Sequence, residues 1–358
     1  MAAMRNRGEL TVLVMGVGGN VSQGILKALA LSSLPHRVVA ACISPLSVGL
    51  YRADRAYVSP YADDPRFLPW LLELCEREHV DAVLSGSEPV LAALSASAAE
   101  IEERTGAVCV VSPPEVLEVG QDKLLTCRWL EQNGLAHPRF ADAEDETAVA
   151  ALLEDRGYPV VAKPRVGKGA QGVVTAAGEA ELRPFVGRPG FVIQEHLGSP
   201  DVEYTAGCFC DRDGRLRGTV VLRRELREGT TVVAEAGEFP QVRAEVEPTV
   251  TALRPLGPCN VQLRLSEGRA VPFELNVRFS GTTPVRARLG FNEVEAALRH
   301  FVLGEPAVDL PPVVRGRVLR YWNEVYVPDA AVDELGREGR LADPGRHDVR
   351  VEDWGVDR

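Results

Sequence analysis

Two groups of residues in this 358-residue chain have the types and spacing for chemistry on phosphate groups. The first is Lys163, near the end of the run Tyr158-Pro-Val-Val-Ala-Lys-Pro164, followed at once by Arg165-Val-Gly-Lys-Gly-Ala-Gln-Gly172. A lysine ending a buried strand is expensive unless it meets a negative partner. The loop behind it carries Gly167, Gly169 and Gly172, and such a loop can lay backbone N–H groups over phosphates. The GxxxxGK[ST] spacing of a Walker A loop leading into a helix is absent. The second group is Asn260-Val-Gln262 on one strand pattern and Phe273-Glu-Leu-Asn-Val-Arg278 on the next. Alternation along a strand puts Glu274, Asn276 and Arg278 on one face, and Gln262 falls on the expected hairpin partner. Carboxylate and amide oxygens grouped in this way suit Mg²⁺, a hard cation that keeps waters and binds substrate phosphates. Arg278 beside them would neutralise phosphoryl oxygens.

Three further segments are weaker taken singly. Phe191-Val-Ile-Gln-Glu-His-Leu197 is an apolar strand ending in a short crossover, able to offer backbone N–H and C=O groups to an adenine edge. Glu203 follows and could accept from ribose hydroxyls, although taken alone Glu195 and Glu203 read more readily as solvated strand charges. Gly16-Val-Gly-Gly-Asn20 turns from a strand into a helix, where N–H groups face an anion. A dinucleotide fingerprint would need a third glycine, where Val21 stands, and an acid ending the second strand, which reads Ala40-Ala-Cys-Ile-Ser-Pro45. Hydride transfer is therefore disfavoured, leaving a tight structural turn or a site for another ligand.

The elements that must position these residues fall into two textures. From 10 to 120, short apolar runs (10–15, 37–43, 80–84, 107–111) alternate with helical patterns (21–32, 64–79, 88–105). That alternation predicts a doubly wound parallel sheet, with ligands at the carboxyl ends of its strands. Residues 122–156 read as mainly helical, broken near Gly134 and Pro138. Beyond 158, strand patterns dominate (158–163, 172–177, 191–195, 203–210, 216–226, 230–236, 258–265, 269–277), with helices at 179–186, 243–254 and 292–303. This predicts antiparallel hairpins in an α+β unit. The expected division is 1–120, 121–200, 201–327 and a charged tail at 328–358.

Composition closes off other classes. A net charge of −11 argues against a general nucleic-acid surface. No apolar run is long enough to span a bilayer, and Met1 to Leu10 leads into a strand pattern without a signal-peptide core. Seven scattered cysteines without CxxC read as buried free thiols of a cytoplasmic protein rather than a zinc site.

Taken in order, these motifs resemble the ATP-grasp superfamily, in particular its carbamoyl-phosphate-synthase-like branch, over about residues 10–305. The resemblance implies a pre-ATP-grasp Rossmann-like domain followed by a two-lobed ATP-grasp domain. It implies ATP contacts from Lys123, Lys163, Gly167, Gly169, Gly172, the hinge Glu195-His196-Leu197 and the ribose carboxylate Glu203. Gln262, Glu274 and Asn276 match the ligands for Mg²⁺, with Mn²⁺ as a substitute, and Arg278 the adjoining phosphate arginine. Many members carry an acid at position 262. A full carbamoyl phosphate synthase also has two grasp units where this chain has one, which argues against complete carbamoyl phosphate synthesis by this chain alone.

The implied reaction is carboxylate–amine ligation, with Lys163 and Arg278 as the catalytic charges. A phosphotransferase or carbamoyl-type activating enzyme is the alternative, and a non-catalytic nucleotide-binding protein the third reading. Small-molecule acid and amine substrates are expected, with Glu88, Arg223, Ser280, Gly281, Thr282 and Arg286 as candidate contacts. At Glu88 the rival is a helix N-cap role for Ser87; among Arg223, Arg224 and Arg227, alternation sets 224 opposite the other two. The family often forms homodimers.

Overall fold

The computed structural model describes residues 8–167, 171–198, 203–311 and 313–352. The first layer runs β1 (Leu10–Met15), α1 (Asn20–Leu29), β2 (His36–Cys42), β3 (Arg55–Val58), α2 (Phe67–Glu78), β4 (Ala82–Ser85), α3 (Glu88–Thr105) and β5 (Val108–Cys109). All six residues of β1 are buried, as expected of a strand covered by helices on both faces. The five strands are parallel, in the order β3-β2-β1-β4-β5. Their carboxyl ends carry the Gly16–Gly19 turn and the Gly86–Glu88 turn.

α4 (Pro114–Gln121) and α5 (Lys123–Gln132) lead to a four-stranded sheet. It contains β6 (Phe140–Asp142), β7 (Val160–Pro164), β8 (Val174–Ala176) and β9 (Phe191–Glu195), in the order β6-β9-β7-β8, with α6 (Glu146–Arg156) and α7 (Glu179–Leu182) interposed in the chain. The strand β6 interrupts the region read as mainly helical.

The third layer is an antiparallel sheet of β10 (Glu203–Cys210), β11 (Leu216–Arg227), β12 (Thr230–Ala236), β13 (Gly257–Ser266) and β14 (Arg269–Asn276), joined at the β12 edge by β15 (Gly316–Leu319). On one face Ala206, Cys208, Val261, Leu263 and Leu275 pack with Val242, Val246 and Val250 of α8 (Pro240–Leu253). The opposite face carries the polar residues described below, and α9 (Thr283–Arg288) and α10 (Glu293–Ala297) follow β14 in the chain.

The segment set apart as a tail does not stand alone. α11 (Asp329–Glu338) buries Ala331 and Leu335 in the same core as β1 and α1. Residues Arg340–Ala342 then pair antiparallel with β3, closing that edge of the first sheet. No helix among the described residues is long and apolar enough to cross a membrane.

Candidate active site

β7 ends at Pro164, and its penultimate residue, Lys163, is only 6% exposed. Its ammonium lies 5.5 Å from the centre of the Phe273 ring on β14. Burial pulls its pKa down to about 8, with neighbouring cations Lys123 and Arg264 adding to the drop and the Glu274 carboxylate opposing it. The loop behind Lys163 is tied at its base. Asp122 caps α5 by accepting from the Leu124 and Leu125 N–H groups. It also takes a fork from Arg165, the shortest contact being 2.6 Å. Burial acts to raise the Asp122 pKa, but Arg165 and the two N–H groups bring it below the ordinary carboxylate value. The Lys123 backbone N–H donates to Arg165 O at 2.8 Å, and its ammonium to Gly167 O at 3.3 Å. Gly172 sits at φ +72°, where a Cβ would come within 2.9 Å of Pro164. Gly169 lies outside the described residues.

β9 is hydrogen-bonded to β7 with Val161 opposite Gln194. Gln194 donates to the buried Cys127 Sγ at 2.9 Å, and burial raises that thiol's pKa to about 12. The Glu195 carboxylate accepts from the Arg139 N–H at 2.7 Å and meets Arg156 Nε at 3.2 Å. That carboxylate is thus tied to the chain before β6 and to α6. His196 is partly buried and Leu197 buried.

Opposite Lys163, the third sheet carries one connected polar chain. Glu203 is 2% exposed and stands directly across from Arg224 on β11 and Arg264 on β13. Each guanidinium takes one carboxylate oxygen: Arg224 at 2.5 and 3.1 Å, Arg264 at 3.0 and 3.1 Å. Arg224 Nη2 also donates to Gln262 Oε1 at 2.6 Å. Gln262 Nε2 and Asn276 Nδ2 both donate to Glu274 Oε1, at 2.9 and 3.0 Å. The strand registers dictate this chain, since Gln262 faces Glu274 and Asn260 faces Asn276. Gln262, Glu274 and Asn276 are thus brought together as the sequence reading had them, and Glu203, read apart from them, joins the same chain through Arg224.

Arg278 lies beyond the end of β14 and reaches to the first layer. Its Nη2 donates to Glu88 Oε1 at 2.9 Å and its Nη1 to Phe279 O at 3.0 Å. Its Nε is buried without a hydrogen-bond partner. Glu88 opens α3, and Ser87 makes no side-chain cap bond there. The carboxylate pairs with Arg278, so the capping alternative fails.

Four substrate assignments require correction: Arg286, Ser280, Thr282 and Arg223. Arg286 is fully buried and every donor is spent inside the protein. Its Nη1 donates to Asn260 Oδ1, Ser280 Oγ and Thr282 Oγ1 at 2.9–3.0 Å. Its Nη2 donates to Thr283 Oγ1 and Glu293 Oε1, and its Nε to Glu293 Oε2. Gly207 makes room for it, since a Cβ there would lie 2.4 Å from the guanidinium. With Glu293 as its counter-ion, Arg286 has no hand left for a substrate carboxylate, and Ser280 and Thr282 serve it rather than a ligand. Arg223 points away from the polar chain and pairs with Glu235 at 2.6 Å; its neighbour Arg224 is the one that reaches the site. Gly281 stays at the seam between layers, its carbonyl accepting from Arg320 at 3.3 Å. Arg264 and Arg320 carried no signal in the sequence beyond their charge.

The set of oxygens tests a metal. Glu274 Oε2 and the Asn276 side-chain oxygen offer oxygen donors of the kind Mg²⁺ takes, while Gln262 gives its oxygen to Arg224. The pair Glu274–Asn276 fits a magnesium held mainly by nucleotide phosphates; Gln262 in this arrangement does not ligate.

Known proteins resemble the chain over most of its length. The family of the ATP-grasp domain matches residues 120–282, and that of the PylC-like, N-terminal domain matches residues 12–110. The chain thus carries an ATP-grasp domain behind a PylC-like N-terminal domain. Among curated relatives, it is 25% identical over 338 residues to the carbamoyl phosphate synthase large chain of Rubrobacter xylanophilus, covering 86% of this chain and 31% of that one. It is 24% identical over 318 residues to that of Corynebacterium glutamicum, covering 80% and 28%. The chain thus spans about a third of the length of these relatives. Among solved structures, N5-carboxyaminoimidazole synthetase from Staphylococcus aureus superposes with a TM-score of 0.69 at 14% identity, covering 92% of this chain and 85% of that one. The biotin carboxylase domain of the Hydrogenobacter thermophilus 2-oxoglutarate carboxylase gives 0.66 at 16%, covering 92% and 76%. At these identities the structures share the fold.

Proposed function

We propose that the chain joins a carboxylic acid to an amine at the expense of ATP, through an acyl phosphate. The observation that supports this most is Lys163, a buried ammonium opposite the chain Glu203–Arg224–Gln262–Glu274–Asn276. Adenine lies along the hinge 195–197 and ribose at Glu203, where its hydroxyls displace one of the two arginine forks. The phosphates run between the 165–172 loop and β14. Lys123 and Lys163 hold the β- and γ-phosphoryl oxygens, and Glu274 with Asn276 holds Mg²⁺. The metal supplies charge neutralisation on the transferring phosphoryl group.

In the first step a substrate carboxylate oxygen attacks the γ-phosphorus, the bond from γ-phosphorus to the bridging oxygen breaks, and ADP leaves with the electron pair. Lys163 meets the charge that spreads over the equatorial oxygens. In the second step the amine nitrogen attacks the acyl carbon, the C–O bond to phosphate breaks, and phosphate departs as the nitrogen gives up a proton. Arg278, with an N–H group lacking a protein partner, is placed to hold a phosphoryl or acyl oxygen. Glu88, its ion-pair partner, is the group nearest to receive or orient the amine. Catalysis is then positioning and charge neutralisation, without a nucleophilic Ser or Cys.

Hydroxylamine tests the reading. In the presence of ATP, Mg²⁺ and a panel of carboxylic acids, one acid should yield a hydroxamate with stoichiometric ADP and phosphate. A stable phospho-product with no hydroxamate from any acid would instead establish a phosphotransferase.

A further inference from the structure

The metal set fails to fit at one residue, Gln262, and the cause lies in its two hydrogen bonds. Gln262 Oε1 accepts from Arg224 Nη2 at 2.6 Å, and its Nε2 donates to Glu274 Oε1 at 2.9 Å. Turning the amide over would set its N–H groups against the guanidinium N–H, and its oxygen against a carboxylate oxygen. Both bonds would be lost. A guanidinium bonded to that amide oxygen also repels any second cation that seeks it. Asn276 is arranged the other way. Its Nδ2 donates to the same Glu274 oxygen at 3.0 Å, and no donor among the described residues takes its own oxygen. Two protein oxygens are left for a divalent cation, Glu274 Oε2 and Asn276 Oδ1.

Arg224 is itself fixed. It is 9% exposed, and its Nε and Nη2 both donate to Glu203 Oε1, at 3.1 and 2.5 Å. Its Nη1 lies 3.5 Å from Thr231 Oγ1 on β12. The same nitrogen, Nη2, thus serves Glu203 and Gln262 at once. Arg264 holds the other Glu203 oxygen, and its side chain is 23% exposed against 9% for Arg224. Of the two forks, Arg264's is therefore the one open to ribose hydroxyls, and Arg224 keeps its place when a nucleoside arrives.

We infer that Arg224 is a positioning residue that withdraws Gln262 from the metal set, so that the chain holds a single divalent cation on Glu274 and Asn276. One carboxylate and one amide oxygen are few ligands for a hard cation, so tight binding waits for nucleotide phosphates. This rests on the reading of Glu274 and Asn276 as the metal ligands, and it departs from the three-residue set that the family resemblance implies.

The test is a titration with Mn²⁺, read by its electron paramagnetic resonance signal, of protein alone and of protein with one equivalent of ADP. Wild-type protein with ADP should take up one Mn²⁺ per chain, and protein alone should bind it at least tenfold more weakly. Gln262→Leu should keep the stoichiometry and the affinity with ADP within about twofold. Arg224→Gln frees the Gln262 amide to turn, and should tighten Mn²⁺ binding without nucleotide several-fold. The double variant Arg224→Gln/Gln262→Leu should lose that gain, which a merely structural role for Arg224 would not produce. Glu203 keeps both bonds from Arg264 in Arg224→Gln, and Gln262→Leu carries the test even where that variant folds poorly. A tenfold loss of Mn²⁺ affinity in Gln262→Leu with ADP, a second Mn²⁺ per wild-type chain, or no gain in a folded Arg224→Gln overturns the inference. Wild-type protein that binds neither ADP nor Mn²⁺ overturns the nucleotide reading as well, whereas ADP-dependent Mn²⁺ binding that Gln262→Leu abolishes leaves that reading standing.

Discussion

Two buried cations in this molecule have opposite surroundings. Arg286 is 0% exposed, spends all its donors on protein oxygens and has the equally buried Glu293 as counter-ion. Lys163 is 6% exposed and has an aromatic ring at 5.5 Å, with no hydrogen-bonding carboxylate among the described residues. A satisfied buried cation fixes a scaffold, and removing one partner leaves an uncompensated charge. An unsatisfied one carries a standing desolvation penalty that a polyanion relieves. The difference separates what holds the site from what works in it, although both are basic residues beside polar strands.

The comparison breaks most visibly on the scaffold side. Arg286→Met strands Glu293 in the core and should destabilise the fold by about 3–5 kcal/mol, read from equilibrium urea unfolding; a loss within the scatter of surface substitutions would mean that the cluster is not a scaffold. Lys163→Met should do the reverse: stability held or raised, ATP turnover down on the order of 10²–10³-fold. Unaltered turnover in that variant removes Lys163 from the reaction.

Titration gives a subtler effect. The folded pKa of Lys163, about 8, lies below its ordinary 10.5, so between those values the unfolded chain binds more protons. The stability linked to this group is therefore gained as pH rises from about 8 towards 10.5, and is missing below. Nucleotide binding runs the other way. Phosphates favour the ammonium, so ATP affinity should fall above about pH 8 and binding should take up a proton there. Calorimetry in buffers of different ionisation heat checks this, and the proton uptake should vanish in Lys163→Met. The smallest effect is expected at Arg223→Ala, which removes a half-exposed pair with Glu235. Stability should change by less than about 1 kcal/mol and the KM for ATP not at all, whereas Arg224→Ala, one residue along, should raise that KM.

How much of this was legible followed from the range of each interaction. Local signals carried far: the helix read at 88–105 is the one observed, begun by Glu88-Pro89 and ended by Gly106 at φ +74°. The set Gln262, Glu274 and Asn276 was legible because strand alternation and hairpin order fix which side chains share a face; Glu203 joins it only through the pairing of β10 with β11 and β13, and Arg278, read with the set, turns instead to Glu88. Arg286 was misread because a sequence does not reveal whether the acid meeting a buried arginine belongs to a substrate or to Glu293. Choosing Arg224 over Arg223 needed the pairing of β10 with β11, which sets residue 224 against Glu203. β6, three residues long, owes its strand conformation to β9 rather than to its own composition. Arg320 lies in the segment 201–327 but beyond its last strand and helix patterns, in a stretch without a local signal.

The pairing of Arg340–Ala342 with β3 has a consequence for biosynthesis. While the chain is being made, the first sheet has an open edge at β3 until about 280 more residues have left the ribosome, a wait on the order of tens of seconds at ordinary elongation rates. During that time the backbone groups of β3 can template pairing with another nascent chain. Chaperone demand should accordingly be greatest for chains stalled or truncated before residue 340.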